Sequence, residues 1–348
     1  MNIPNSIEMG VFPFVQQTDL CDSEEIVETS AFGSVKVNIF GNSERYPIVT
    51  FHDIGLNAIA NFENFFQFQT FSKLTEHFCV YNINAPGQEL DARKLPENFH
   101  YPTMDGLANI VGDVVSHFGF KSFIGIGVGA GANVLLRFAM SHQNLLDALL
   151  LINATSQKAG WVEWAYQRWN VNSLRSERMT RFTVDYLMWH HFGKHFEECN
   201  PDIVQQYRDY FYSHPNPSNL ALYIETFLNR NELSLRDPKS TSDFLLKVPV
   251  LQIVGINSAF INESVYVNSQ LNPRTSEWMK ISDSCGLVLD DKPIEIMQAM
   301  FLFLQGLGFC PSIEVYKLTN KIKEEREGKR RGSDNSATVE WVDEQRQM

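Results

Sequence analysis

Phe123-Ile124-Gly125-Ile126-Gly127-Val128-Gly129-Ala130-Gly131 decides the reading of this chain. A run of apolar residues gives way to glycines at every second position, and the helix-compatible stretch Ala130–Ser141 follows. That pattern describes a buried strand, a sharp turn and a helix that packs close to the strand. On either side, strand-like and helix-like segments alternate. Strands are expected at Tyr46–Asp53, Cys79–Ala85, Ser122–Gly127 and Leu146–Ala154, with helices over Phe62–Phe78 and Asp105–Phe118 between them. Regular alternation of this kind builds a mostly parallel sheet with helices on its faces.

The glycine-rich segment resembles the nucleophile elbow of α/β-hydrolases, G-x-S-x-G, in which the central residue attacks the substrate. With Gly127 and Gly131 as the outer glycines, Gly129 stands at the nucleophile position. Glycine has no attacking atom, but it adopts the strained elbow backbone without a Cβ clash. The fold expected is therefore an α/β-hydrolase fold, a mostly parallel central sheet flanked by helices. A helical cap is inserted after the sixth strand, over about residues 160–235. That insert carries Trp161, Trp164, Trp169 and Trp189 and lacks a strand-like run.

The two other catalytic roles are also unfilled. The acid should follow the returning strand Val248–Gly255, where the chain reads Gly255-Ile256-Asn257-Ser258. Ser258 cannot carry the charge that fixes a histidine tautomer. The histidine should follow a glycine before the last core helix, and Gly286 is followed by Leu287. The end of strand Tyr46–Asp53 gives no help either: the chain there reads His52-Asp53-Ile54-Gly55, where such folds offer one backbone donor to an oxyanion. An inward Asp53 would repel that anion by about 4 kcal/mol at 4 Å and an effective dielectric near 20. His52, Asp53 and Gly129 would line what remains of the pocket, which the cap is expected to occlude.

Other chemistries fit less well. Gly125–Ala130 matches G-x-G-x-x-A of dinucleotide sites, but Asn153 stands where the ribose-binding acid belongs. His191 and His195 have the i, i+4 spacing of a metal pair, with Glu197 or Glu198 nearby. Gly193 interrupts any helix between them, so a helix end is the simpler reading. No cofactor and no metal is expected. A relocated His52–Asp53 acid–base pair, or Cys285 as a displaced nucleophile, would make a cryptic hydrolase; a lipid or small-molecule sensor using the old pocket is the other alternative.

Composition narrows the partners. The chain has 348 residues, with 44% hydrophobic and 20% charged, ample for a single core. A net charge of −12 lacks the positive footprint that nucleic acid requires. Five scattered cysteines suit a reducing, cytoplasmic setting, and the first twenty residues carry no Lys or Arg of a secretory signal. The most apolar stretch, Phe123–Met140, is broken by glycines, Asn133 and Arg137, so no membrane span is expected. Residues 1–25 read as a flexible lead-in and 26–310 as the domain. Val35–Gly41 before Asn42 reads as the start of a first hairpin. Helix Pro293–Gly306 closes the core, and 311–348 is a charged, disordered tail. Its segment Lys317–Arg331 holds seven basic residues against three Glu, which reads as a solvated charged helix or, as the alternative, a contact for anionic lipid and a peripheral membrane position. Arg330-Arg331-Gly332-Ser333 makes Ser333 a candidate phosphosite.

Across about residues 27–310 the chain resembles the N-myc downstream-regulated family. The matching motifs are T-F-H-D-I-G-L-N (50–57), N-A-P-G-Q (84–88), H-F-G-F-K (117–121), I-G-I-G-V-G-A-G-A (124–132), G-W-V-E-W-A (160–165) and D-S-C-G-L (283–287). The resemblance implies an α/β-hydrolase fold without hydrolytic activity. It also implies a cytoplasmic protein of stress, differentiation, signalling and trafficking, with a phosphorylated tail. The expected role is a non-catalytic adaptor whose partners are signalling or trafficking proteins. The tail beyond residue 312 is short and lacks family-type repeats, the main departure from the family's pattern.

Overall fold

The computed structural model describes residues 21–311 except 63–64, 66–73, 161–167, 169, 214–215 and 237–243, together with 314, 315, 317 and 320. Most of the expected helix Phe62–Phe78, the lead-in before residue 21, Trp161, Trp164, Trp169, Ser333 and nearly all of the tail lie outside the described residues.

Eight strands form one sheet in the order β1-β2-β4-β3-β5-β6-β7-β8. They are β1 (Ser23–Glu28), β2 (Ser34–Phe40), β3 (Tyr46–Phe51), β4 (Phe78–Ile83), β5 (Phe123–Val128), β6 (Leu146–Ile152), β7 (Val250–Gly255) and β8 (Ser276–Ile281). Only β2 runs antiparallel to its neighbours β1 and β4; every other pairing is parallel. All residues of β4, β5 and β7 are buried, as strands covered on both faces must be. Two expectations need correction. β1 begins at Ser23, inside the stretch read as lead-in. The hairpin is β1–β2, turning through Gly33, whereas β2 and β3 are not neighbours. The turn signal at Gly41-Asn42 was real, but β4 inserts between those strands in the sheet.

Helix α1 (Met104–His117) starts at Thr103, whose hydroxyl accepts the Gly106 N–H at 3.1 Å. It packs against α2 (Ala130–His142). The cap follows β6 and contributes α3 (Arg181–Phe192), α4 (Pro201–Tyr212) and α5 (Pro217–Leu228). Proline opens both α4 and α5, each behind an Asn whose side chain caps the first turn. Then come α6 (Ile261–Gln270) after β7, the single turn α7 (Val288–Asp291) and α8 (Pro293–Gly306). The chain divides after Lys292 into a second unit, in which α8 buries Met297, Met300, Phe301 and Leu304 on one stripe. No helix among the described residues is long and apolar enough to cross a membrane.

The turn after β5 leaves no room for side chains. A Cβ on Gly131 would stand 2.1 Å from the Phe51 carbonyl oxygen, and one on Gly127 would stand 2.7 Å from the Ala132 backbone. Backbone atoms cannot swing aside as a side-chain tip can, so α2 lies against β3 and β5 only because these positions are glycine. Gly131→Ala should therefore lower stability by more than about 3 kcal/mol, while Gly160→Ala, with open space around it, stays within about 0.5 kcal/mol. Urea unfolding of both variants checks the contrast.

Candidate functional site

Gly129 has φ 53° and ψ −112°, left-handed backbone at the junction of β5 and α2. The elbow is thus formed in full, with glycine where the attacking side chain would stand. As the N-cap of α2, Gly129 has no side chain with which to satisfy the helix N-terminus. Asp53 does so from the β3 loop, its Oδ1 accepting the Ala130 N–H at 2.9 Å and the Ile54 N–H at 2.8 Å. In this architecture those are the two kinds of donor that hold an oxyanion, one after the nucleophile and one on the β3 loop. The oxyanion position is therefore filled by the protein's own carboxylate.

Asp53 also fills the nucleophile's space. A Cβ on Gly129 would lie 2.0 Å from Asp53 Oδ2 and 2.2 Å from its carboxyl carbon. Oδ2 accepts a hydrogen bond from His190 Nε2 at 2.9 Å, and His191 Nδ1 lies 3.8 Å from it. Both histidines come from α3 of the cap. Burial alone would raise the Asp53 pKa, but His190, His191 and the Ala130 N–H outweigh it and hold the carboxyl down at about 2. The site therefore keeps a buried anion at neutral pH, clasped by a helix N-terminus on one side and the cap on the other.

His52 is not a base. Its Nε2 accepts the Ala85 N–H at 2.9 Å, so Nδ1 carries the proton and donates to the Asp53 carbonyl at 2.8 Å. Both ring nitrogens are committed to backbone, and burial pulls its pKa down to about 4. Tyr223 of α5 donates to the His52 carbonyl at 3.0 Å, tying the cap to the same loop. His52 and Asp53, adjacent in sequence, do not form an acid–base pair. Cys285 is no better placed as a nucleophile: a hydrogen bond with Cys199 and burial push its thiol pKa far up.

The remaining triad positions have become struts. Ser258 Oγ donates to Asn153 Oδ1 at 2.9 Å, and Asn153 Nδ2 donates to the Gly286 carbonyl at 2.8 Å. One asparagine thus joins the acid loop to the loop that should bear histidine, and it does so with φ 52° at the end of β6. Leu287 is buried and opens α7. The cap presses close here as well: a Cβ on Gly193 would lie 1.7 Å from the Asn257 carbonyl, and one on Gly286 would lie 2.2 Å from that of His191. His52, Asp53, Ser258, Leu287, His190 and His191 are each 5% exposed or less, so the cap occludes the site.

The structure separates the His191–His195 pair. Helix α3 ends at Phe192, Gly193 turns with φ 92°, and His195 is 60% exposed beside Glu197, whereas His191 faces inward. Sequence reading weighed the doublet's second member with the wrong partner and passed over His190. The available signal was two adjacent histidines at the end of an apolar helix, a place where at least one ring must turn inward.

Sheet order, elbow and cap define an α/β-hydrolase-fold protein in which the Asp53 carboxylate lies against Gly129 at the elbow. Residues 24–311 match the Ndr family, and the chain belongs to it. It is 36% identical over 311 residues to Protein NDRG3 of Xenopus tropicalis, spanning 87% of this chain and 78% of that protein. Protein NDRG4-B of Xenopus laevis is 34% identical, over 88% of this chain and 82% of its own length. Among solved structures, a thermophilic esterase from Thermogutta terrifontis, malate bound, aligns with a TM-score of 0.67 at 18% identity, covering 82% of this chain and 99% of the esterase. A hydrolase from Pseudomonas aeruginosa PA01 gives a TM-score of 0.66 at 16% identity, over 81% and 98%. These likenesses establish the fold.

The contact between Asp53 and position 129 should be measurable as coupling. Gly129→Ser should cost more than about 2 kcal/mol, from overlap and positive φ together. Asp53→Gly should cost about 3–5 kcal/mol, because it strands His190 and two backbone donors. The double variant should be more stable than the sum of the two losses by about 1 kcal/mol or more in a double-mutant cycle. Strict additivity would mean that Asp53 does not occupy the nucleophile's space.

Proposed function

We propose that this protein is a non-catalytic member of the α/β-hydrolase fold that works as an adaptor in intracellular signalling, stress or differentiation response, or vesicle traffic. The observation that carries this reading is the Asp53 carboxylate on the Ala130 and Ile54 N–H groups, in the space above Gly129. An ester bound there would need its developing negative charge to replace an existing one. Removing key triad members costs about 10⁶ in turnover in a serine protease, and the residual rate comes largely from a working oxyanion hole. Here the nucleophile position is glycine and the hole is occupied, so neither contribution remains.

A protein that retains a rigid fold without its reaction has its surface left to work with. Two large apolar side chains of the cap, Phe182 at 61% and Tyr212 at 47% exposure, support the cap as a docking surface. The same reading places the protein in the cytoplasm and its partners among signalling or trafficking proteins.

Purified protein should show no fluorophosphonate labelling and no turnover of a broad ester panel above solvent background. Labelling abolished by Cys285→Ala or His52→Ala would overturn the non-catalytic reading. Proximity labelling in cells should recover signalling or trafficking proteins, with recovery reduced at least several-fold by Phe182→Ser. A profile identical to that of the free labelling enzyme would overturn the adaptor role.

A further inference from the structure

Asp53, His190 and His191 bring three ligand-type atoms within 4.8 Å of one another, and their side chains are 0–3% exposed. The hydrogen bonds around them leave the group one proton short. His191 Nε2 lies 2.9 Å from the Ile54 carbonyl, which can only accept, so Nε2 carries the proton. In the neutral ring Nδ1 is then a lone pair, and it faces Asp53 Oδ2, another lone pair, at 3.8 Å. Only the His190 Nε2 proton lies among the three atoms, and it already bonds to Asp53 Oδ2 at 2.9 Å. His190 Nδ1 is buried with no hydrogen-bond partner among the described residues, so nothing behind the ring locks that proton onto Nε2.

We propose that Asp53 Oδ2, His190 Nε2 and His191 Nδ1 bind a divalent transition-metal ion of the zinc type. Two imidazoles and a carboxylate suit such an ion by charge and by ligand softness. Ligand atoms about 2.0–2.1 Å from a tetrahedral ion stand about 3.3 Å from one another. The 2.9 Å separation must open and the 3.8 Å separation must close, each by about half an ångström. The outer contacts of a metal centre are already in place. His191 donates its second nitrogen to a backbone carbonyl, and Asp53 Oδ1 is fixed by two backbone N–H groups. The ion would join α3 of the cap to the β3 loop and the elbow, with a water molecule as its fourth ligand. Nothing in this inference requires an adaptor role, so the two stand or fall separately.

Full-length protein stripped with a chelator should take up close to one equivalent of Zn²⁺ by calorimetry, and its melting temperature should rise by several degrees with excess zinc. With Co²⁺ in place of zinc, the intense visible absorption of a tetrahedral centre should appear. His191→Leu removes one ligand and keeps an apolar filler beside Phe211, against which His191 stacks at 5.4 Å. It should weaken zinc binding at least 10-fold and abolish the cobalt spectrum. His195→Ala, at the surface, should change neither. Uptake below a tenth of an equivalent by wild-type protein, unchanged binding in His191→Leu, or loss of binding in His195→Ala would each overturn the proposal. The wild-type measurements decide the matter even if His191→Leu does not fold.

Discussion

A single buried carboxylate organises the middle of this molecule. Asp53 lies on the N-terminus of α2, where unpaired N–H groups and the helix dipole favour an anion. Gly129 cannot supply that anion, because its side chain is a hydrogen atom. His190 donates a hydrogen bond to Asp53 from the opposite side, 137 residues away in sequence. A buried carboxylate adds little net stability by itself, yet removal of any partner that holds it is costly because the charge is left stranded. Its consequence is geometrical: cap and core are held in one arrangement.

The same constraint accounts for the local packing. The His52–Phe62 loop is buried throughout, because its backbone groups find side-chain partners. Asn61 accepts the Asp53 N–H at 2.7 Å, Asn84 accepts the Ala58 N–H at 2.9 Å, and Asn57 accepts those of Ile59 and Ala60. A reaction centre needs room for substrate and a path for water, and such a loop would then stand partly open. With the anion position filled internally, that room can be packed. Glycines at 193 and 286 let the cap backbone approach the acid and histidine loops more closely than any other residue would permit.

Of the three positions a triad would occupy, only Ser258 is polar, and its hydroxyl is engaged in packing. Ser258 and Asn153 form a hydrogen-bonded chain to the Gly286 carbonyl, linking the ends of β6 and β7 to the loop before α7. Buried polar groups are a burden unless satisfied, and Ser258, Asn153 and Gly286 satisfy one another.

The fold was legible in the sequence because its signals are local. Continuous apolar runs mark strands buried on two faces, and glycines at 127, 129 and 131 mark a turn that tolerates neither Cβ atoms nor ordinary φ. The chain order of the Gly129, Ser258 and Leu287 positions reveals the missing triad without coordinates. The β1–β2 hairpin was misplaced because a turn signal says where the chain bends and nothing about which strand pairs next. The direction of Asp53, the tautomer of His52 and the joining of His190 to a loop before β4 carry no local pattern at all. They are decided when α3 closes over the sheet, since a carboxylate's partner depends on distances that exist only in the folded chain.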